Sequence, residues 1–246
     1  MNIAWITHRD WDRSGGAEMA DHDMVDRRPD GIEIMAIKPG GVAEDLEDFD
    51  RIIVSGLAGY SAKELNLLQE FKDKMTFWIH DSQFAGHWFY TVPKNLIFVS
   101  PTHIKHDLSK IVGFPDKQVH VNPGWMNVEE ILVLTAKKRA GALWAHRPVW
   151  QKGLDMAVVW AEQNNEVLDV LVGRQRPEVL ASMRKHKYFI LLPHEFDSGP
   201  RTVMEATLTG AECITNQNVG QFDEPIDELA ERLSNADKHF WEVVLS

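Results

Sequence analysis

The sequence predicts an α/β protein built from two consecutive Rossmann-like units, each an open parallel sheet, facing one another across a cleft. Three observations predict it. Short β-branched or aromatic runs alternate with segments of helical periodicity along the chain. Asn122-Pro123-Gly124 interrupts that alternation near the midpoint. A second series of the same kind and of similar length then follows.

In the first series, strands are expected at 3–7, 32–37, 51–55, 76–80, 96–99 and 118–121, with helices at 16–26, 61–71 and 102–111. In the second, strands are expected at 142–145, 167–172, 188–192 and 212–215, with helices at 153–163, 178–185 and 200–209. The boundary falls between 125 and 139 and divides the chain into domains 1–125 and 126–246. Phe240, Trp241, Val244 and Leu245 recur at helical spacing, so 235–245 is expected to form a closing helix of the second domain that packs back across both halves. Open α/β sheets bind ligands at the carboxyl ends of their strands, so the residues just after each strand are the place to look for chemistry.

Composition narrows the function classes. Of 246 residues, 44% are hydrophobic and 26% charged, as in ordinary globular proteins. No apolar run approaches the roughly 20 residues that span a bilayer. Met1-Asn2-Ile3-Ala4-Trp5-Ile6 lacks a basic leader and a cleavage site, so it reads as a first strand and not a signal peptide. Cys213 is the single cysteine, which excludes an internal disulfide and a cysteine-based zinc site; a reducing, cytoplasmic setting is expected. With 26 basic and 37 acidic residues the net charge is −11, which disfavours extended nucleic-acid binding. Nine tryptophans is a high count, and Trp11, Trp88, Trp125 and Trp150 sit beside polar residues in expected loops. They serve either core and hinge packing or stacking on a sugar or base ring.

Two segments carry the chemistry. In the first, Pro193-His194-Glu195-Phe196-Asp197-Ser198-Gly199-Pro200-Arg201-Thr202 runs from a strand end into a helix, with Gly199 expected as N-cap and Pro200 as the first helical residue. The free amides of that turn, around Gly199, Arg201 and Thr202, form an anion site suited to a phosphate. Asp197 stands before the helix and Glu205 eight residues on within it, each able to accept hydrogen bonds from sugar or ribose hydroxyls. Alternatively, Asp197 only caps the helix and Glu205 pairs with Arg201 at i,i+4. In the second segment, His146-Arg147-Pro148-Val149-Trp150-Gln151-Lys152-Gly153 also joins a strand to a helix. It places two cations, Arg147 and Lys152, where they can neutralise a diphosphate, or simply be solvated.

Together these segments resemble the donor site of family-4-like GT-B glycosyltransferases, including compact virus-type members. Arg147 and Lys152-Gly153 match the cations that hold the donor diphosphate in that family. Asp197 and Glu205 match its two acids, the first on the transferred sugar and the second on the nucleotide ribose, followed by Ala206 and Gly210. Two positions depart from the pattern: the first acid is normally Glu, and Gly199-Pro200 replaces Phe-Gly. Asn216-Gln217-Asn218-Val219-Gly220 is similar to the loop near the nucleotide. Ser14-Gly15-Gly16-Ala17-Glu18 resembles the glycine-rich turn after the first strand, and Trp78-Ile79-His80-Asp81 the strand end that contacts sugar or acceptor. Val99-Ser100-Pro101-Thr102-His103 and Val121-Asn122-Pro123-Gly124 are similar to further junctions, so the resemblance covers most of the chain.

The resemblance implies transfer of a sugar from a nucleotide-diphosphate donor, a UDP-sugar being expected, to an acceptor hydroxyl. Retention of configuration and no required metal or cofactor are implied with it. His80 and Asp81, in an acceptor-side N-terminal domain, would face the sugar or acceptor, with Asp197, Arg147 and Lys152 on the donor side. A nucleotide-sugar epimerase on the same fold and a non-catalytic nucleotide-sugar binding module remain open. A hydroxymethylated DNA base is a minor alternative as acceptor. Asp21-His22-Asp23 and Asp48-Phe49-Asp50 resemble D-x-D metal motifs. The first lies on an expected helix, where alternate residues point about 200° apart, and the second precedes a strand; both are read as solvated acids. There is no G-x-G-x-x-G, P-loop or serine nucleophile elbow.

Overall fold

The computed structural model describes residues 1–8, 16–42, 44–80, 94–101, 104, 119–132, 139–220, 222 and 224–246. Gly15, Asp81, Trp11, Trp88, Thr102 and His103 lie outside the described residues, as does most of the helix expected at 102–111. The chain forms two units, Met1–Met126 with Ser234–Ser246, and Asn127–Leu233.

The first unit contains β1 (Asn2–Ile6), α1 (Gly16–Asp26), β2 (Glu33–Ile37), β3 (Arg51–Val54), α2 (Ala62–Gln69), β4 (Met75–Ile79), β5 (Asn95–Phe98) and β6 (Val119–Val121). These strands form one sheet, in order β2-β1-β3-β4-β5-β6, and every pairing is parallel. A parallel sheet needs cover on both faces, so its inner strands are apolar at successive residues. The two-residue side-chain period then divides them between two cores. Ala4, Ile6, Ile52, Val54, Phe77, Ile79, Leu96 and Phe98 pack on one face with Tyr60 and Leu68. Ile3, Trp5, Ile53, Trp78 and Ile97 pack on the other with Ala20, Met24, Phe240, Trp241 and Val244. Helix α2 is fixed by a reciprocal cap, in which the Glu64 amide donates to Ser61 Oγ at 3.3 Å and the Ser61 amide donates to Glu64 Oε2 at 2.8 Å.

The second unit contains α3 (Val128–Leu132), β7 (Ala142–Ala145), α4 (Leu154–Gln163), β8 (Leu168–Leu171), α5 (Arg176–Met183), β9 (Tyr188–Leu191), α6 (Arg201–Thr209), β10 (Glu212–Thr215) and α7 (Ile226–Ser234). Its four strands are parallel in order β10-β9-β7-β8. Ala142, Trp144, Ala157 and Ile190 form its buried core. Helices α3 and α5 both pack against α6.

The last helix, α8 (Ala236–Leu245), corrects an expectation. The sequence reading places it in the second domain, whereas it belongs to the first unit. Phe240 stacks on Trp5 with ring centroids 5.9 Å apart, and Trp241 Nε1 donates to the Met24 carbonyl at 3.2 Å. Asn122 Nδ2 and Asn95 Nδ2 donate to the carbonyls of Ala236 and Val243 at 2.7 and 3.0 Å. These apolar side chains find their cover over β1, β3 and β4, and buried amide donors fix the register of the helix.

Candidate functional site

In the second unit the loops after β7 and β9 meet. The loop after β7 makes one turn of 3-10 helix, Trp150–Lys152, and ends at Gly153 in the left-handed region, φ 63°. A Cβ on Gly153 would lie 1.9 Å from the Leu192 carbonyl oxygen, so only glycine admits this approach of the two backbones. The His194 amide donates to the Gln151 carbonyl at 3.1 Å, and Trp144 Nε1 in β7 donates to the Lys152 carbonyl at 3.2 Å.

The loop after β9 is held in turn by the loop after β10. The Asp197 amide donates to the Asn218 carbonyl and the Gly220 amide to the Asp197 carbonyl, both at 2.7 Å. Asn216 and Asn218 each donate a side-chain amide to the Pro193 carbonyl, at 3.0 and 2.9 Å. The Asn216–Gly220 segment therefore acts as a clamp that fixes where Asp197 points.

Within this frame Lys152 Nζ forms an ion pair and hydrogen bond with Asp197 Oδ2, both side chains partly exposed. The cation expected at the diphosphate and the acid expected at the sugar thus neutralise each other in the free protein. Arg147 is exposed and forms no side-chain hydrogen bond or ion pair among the described residues. Helix α6 begins at Arg201 with Pro200 at the N-cap, one residue later than expected, and no side chain caps it. The fixed φ of proline suits a helix entry, and the first-turn amides beside the half-buried Gly199 and Thr202 remain the positive end of the helix dipole.

Glu205 is buried, its side chain 4% exposed, between two arginines. Arg176 Nε donates to Glu205 Oε1 at 2.7 Å, and Arg201 Nε lies 3.6 Å from the same oxygen. The i,i+4 pair with Arg201 therefore exists, but the closer partner is Arg176. Arg176 Nη1 also donates to Glu130 Oε2 at 3.3 Å. Burial pulls the Arg176 guanidinium down, and Glu205 and Glu130 outweigh it, so the group titrates higher than an ordinary arginine.

His146 follows β7 directly. Its pKa is pushed down to about 3, first by burial and then by the Lys152 charge, against the opposing hydrogen bond to the Ile190 backbone. Its Nε2 is buried with no hydrogen-bond partner among the described residues. Trp150 is 63% exposed and stacks on His194, centroids 4.4 Å apart and planes 6° from parallel, while His194 Nε2 contacts Asp155 at 2.8 Å.

In the first unit, His80 directly follows β4 and its side chain is 6% exposed. Its Nε2 donates to Asp21 Oδ1 at 3.0 Å. Ser55 Oγ donates to Asp21 Oδ2 at 2.7 Å and accepts from Trp5 Nε1 at 2.8 Å. Asp21, read from sequence as a solvated acid, is instead 0% exposed. It shares the inward face of α1 with Ala20 and Met24, and a buried carboxylate needs such partners. Gly16 opens α1 and is exposed.

Sequence reasoning missed Arg176, Asp21 and the Trp150–His194 stack. A signal existed for Arg176: it lies just beyond the carboxyl end of β8, in Gly173-Arg174-Gln175-Arg176-Pro177, where ligand-binding residues are expected.

No protein family and no curated protein matches the chain in sequence. Solved structures do match in shape. HepE of Anabaena in complex with UDP and glucose is similar at TM-score 0.58 and 10% identity, over 99% of this chain and 94% of that one. An α-glucosyltransferase in complex with UDP and a 13-mer DNA containing an HMU base is similar at TM-score 0.57 and 12% identity, over 99% and 95%. The catalytic domain of starch synthase IV from Arabidopsis thaliana, bound to ADP and acarbose, is similar at TM-score 0.59 and 10% identity, over 99% and 94%. The chain has the GT-B fold, with parallel sheets of six and four strands. Among the described residues no helix is long and apolar enough to cross a membrane.

Proposed function

We propose that this protein is a glycosyltransferase that moves a sugar from a nucleoside-diphosphate sugar to an acceptor hydroxyl, with retention of configuration and without a required metal. One observation carries the proposal. Lys152, Asp197 and the uncapped start of α6 converge at the carboxyl ends of β7 and β9, with Glu205 one helical turn further on, in a chain of GT-B fold. That is the ligand end of an open α/β sheet. Its chemistry suits a diphosphate next to hydroxyl-bearing rings.

Transfer breaks the bond from the anomeric carbon to the diphosphate, joins that carbon to the acceptor oxygen, and releases the hydroxyl proton. Negative charge grows on the departing diphosphate. Lys152, Arg147 and the first-turn amides of α6 stabilise that charge in place. For Lys152 to do so it leaves Asp197, which is then released to accept a hydroxyl of the transferred sugar. Glu205 accepts hydroxyls of the nucleotide ribose. Similarity to structures holding UDP, and to one holding ADP, supports a nucleotide donor, and UDP is the first to try. His80, fixed by Asp21, serves the acceptor step together with Asp81, Gly15 and Gly16.

A thermal-shift screen against UDP, ADP, GDP and their glucose conjugates tests the proposal. A true ligand at a hundredfold over its dissociation constant stabilises by about 2.7 kcal/mol. Loss of the sugar from the donor only when an acceptor is added supports transfer. Change in the sugar without acceptor would make the protein an epimerase, and binding without any change a carrier module.

A further inference from the structure

We infer that Arg176 is a positioning residue that makes the donor site selective for ribonucleotides, by turning one fixed edge of the Glu205 carboxylate toward the ribose. The inference rests on the proposed role of Glu205.

A carboxylate offers two oxygens. In Glu205 both cationic contacts fall on Oε1, from Arg176 Nε at 2.7 Å and Arg201 Nε at 3.6 Å. Oε2 accepts no hydrogen bond among the described residues, so the edge left to a ligand hydroxyl is the one the arginines do not use. Arginine often neutralises a carboxylate by a two-pronged fork across both oxygens. Arg176 instead spreads its fork, with Nε on Glu205 and Nη1 on Glu130 at 3.3 Å. Nη2 stays buried without an acceptor among the described residues.

The arginine is itself held in place. It is the first residue of α5, the Gln175 amide before it donates to Glu178 Oε2 at 3.1 Å, and Pro177 follows at a position where its fixed φ suits the helix start. At the other end of α5, the C-cap residue Arg184 donates to the Glu130 carbonyl at 2.7 Å and ties the helix to α3. Helix α6, which carries Glu205, packs against both. The charged oxygen is thus aligned before any ligand arrives. A hydroxyl that can donate to Oε2 is favoured over a hydrogen at the same place, because a buried acceptor left without a donor is costly.

The experiment compares calorimetric dissociation constants of UDP, 2′-deoxy-UDP and 2′,3′-dideoxy-UDP for the full chain and for Arg176→Met, Arg176→Lys and Glu205→Gln. The unaltered protein is expected to prefer UDP over the dideoxy compound by about tenfold or more, as loss of a charged hydrogen bond predicts. Arg176→Met should cut that preference to under about threefold while changing dideoxy-UDP affinity little. Arg176→Lys, which keeps charge but not the fork, should lie between and serves if the methionine variant does not fold. If both Arg176 variants keep the full preference while Glu205→Gln loses it, Arg176 does not position the acid. If Glu205→Gln also keeps it, the ribose role of Glu205 itself is wrong.

Discussion

At the scale of single residues, the pairing of Lys152 with Asp197 makes a test in which two neighbouring substitutions act in opposite directions. Lys152→Ala should weaken UDP binding by roughly 1.5–3 kcal/mol, the range for charged hydrogen bonds. Asp197→Asn removes the internal competitor for the same ammonium and should tighten UDP while lowering turnover of the sugar donor. Calorimetry on both variants with UDP, and with UDP-glucose, checks this; weaker UDP binding in Asp197→Asn would mean that Asp197 orients Lys152 instead of competing for it. His146 gives a second residue-level prediction. Its folded pKa of about 3 lies below the ordinary 6.5, so between those values the unfolded chain binds a proton that the folded chain does not. The stability that goes with the neutral ring is complete above pH 6.5 and lost as pH falls toward 3, by up to about 1.4 kcal/mol per pH unit. Urea titrations across that range should show the slope, and His146→Gln should flatten it.

At the scale of elements, the joint between the loops after β7 and β9 depends on Gly153. Gly153→Ala places a methyl against the Leu192 carbonyl at a positive φ, and the two loops must part. It should cost about 1–3 kcal/mol or more in denaturant titration. UDP affinity should fall with it, because Lys152 is the residue next to the hinge; unchanged affinity would detach the loop joint from the donor site. Much of this level was legible in the sequence. The strands Ala142–Ala145 and Glu212–Thr215 and helix Gly16–Asp26 have the limits that β-branched or aromatic runs and helical spacing set. Helix α6 starts one residue late because Pro200 completes the entry turn instead of opening the helix. Val128–Leu132 and Ile226–Ser234 went unread: the first is barely more than one turn, and the second follows Pro225 close behind an irregular loop. The pairs Arg176–Glu205 and His80–Asp21 join residues 29 and 59 positions apart, and no local pattern encodes such a meeting.

At the scale of the molecule, the division of labour between units is a kinetic statement. Both cations and both acids of the proposed donor site lie in the second unit, and the His80–Asp21 pair lies in the first. His80→Ala should therefore lower kcat far more than it lowers donor affinity. Steady-state kinetics with calorimetry on the same variant checks it; loss of UDP binding with an unchanged rate for bound donor would place His80 at the nucleotide.

The placement of α8 has a consequence for how the chain is made. The first unit is discontinuous, Met1–Met126 completed by Ser234–Ser246, whereas the second is one uninterrupted stretch. During synthesis residues 1–126 leave the ribosome before the second unit, yet Trp5 and Trp78 wait for Phe240 and Trp241, which emerge only after it. The unit begun first is the one finished last. In the interval the Trp5 and Trp78 face of its sheet has α1 but not α8 to cover it, the kind of surface on which nascent chains recruit chaperones or clump.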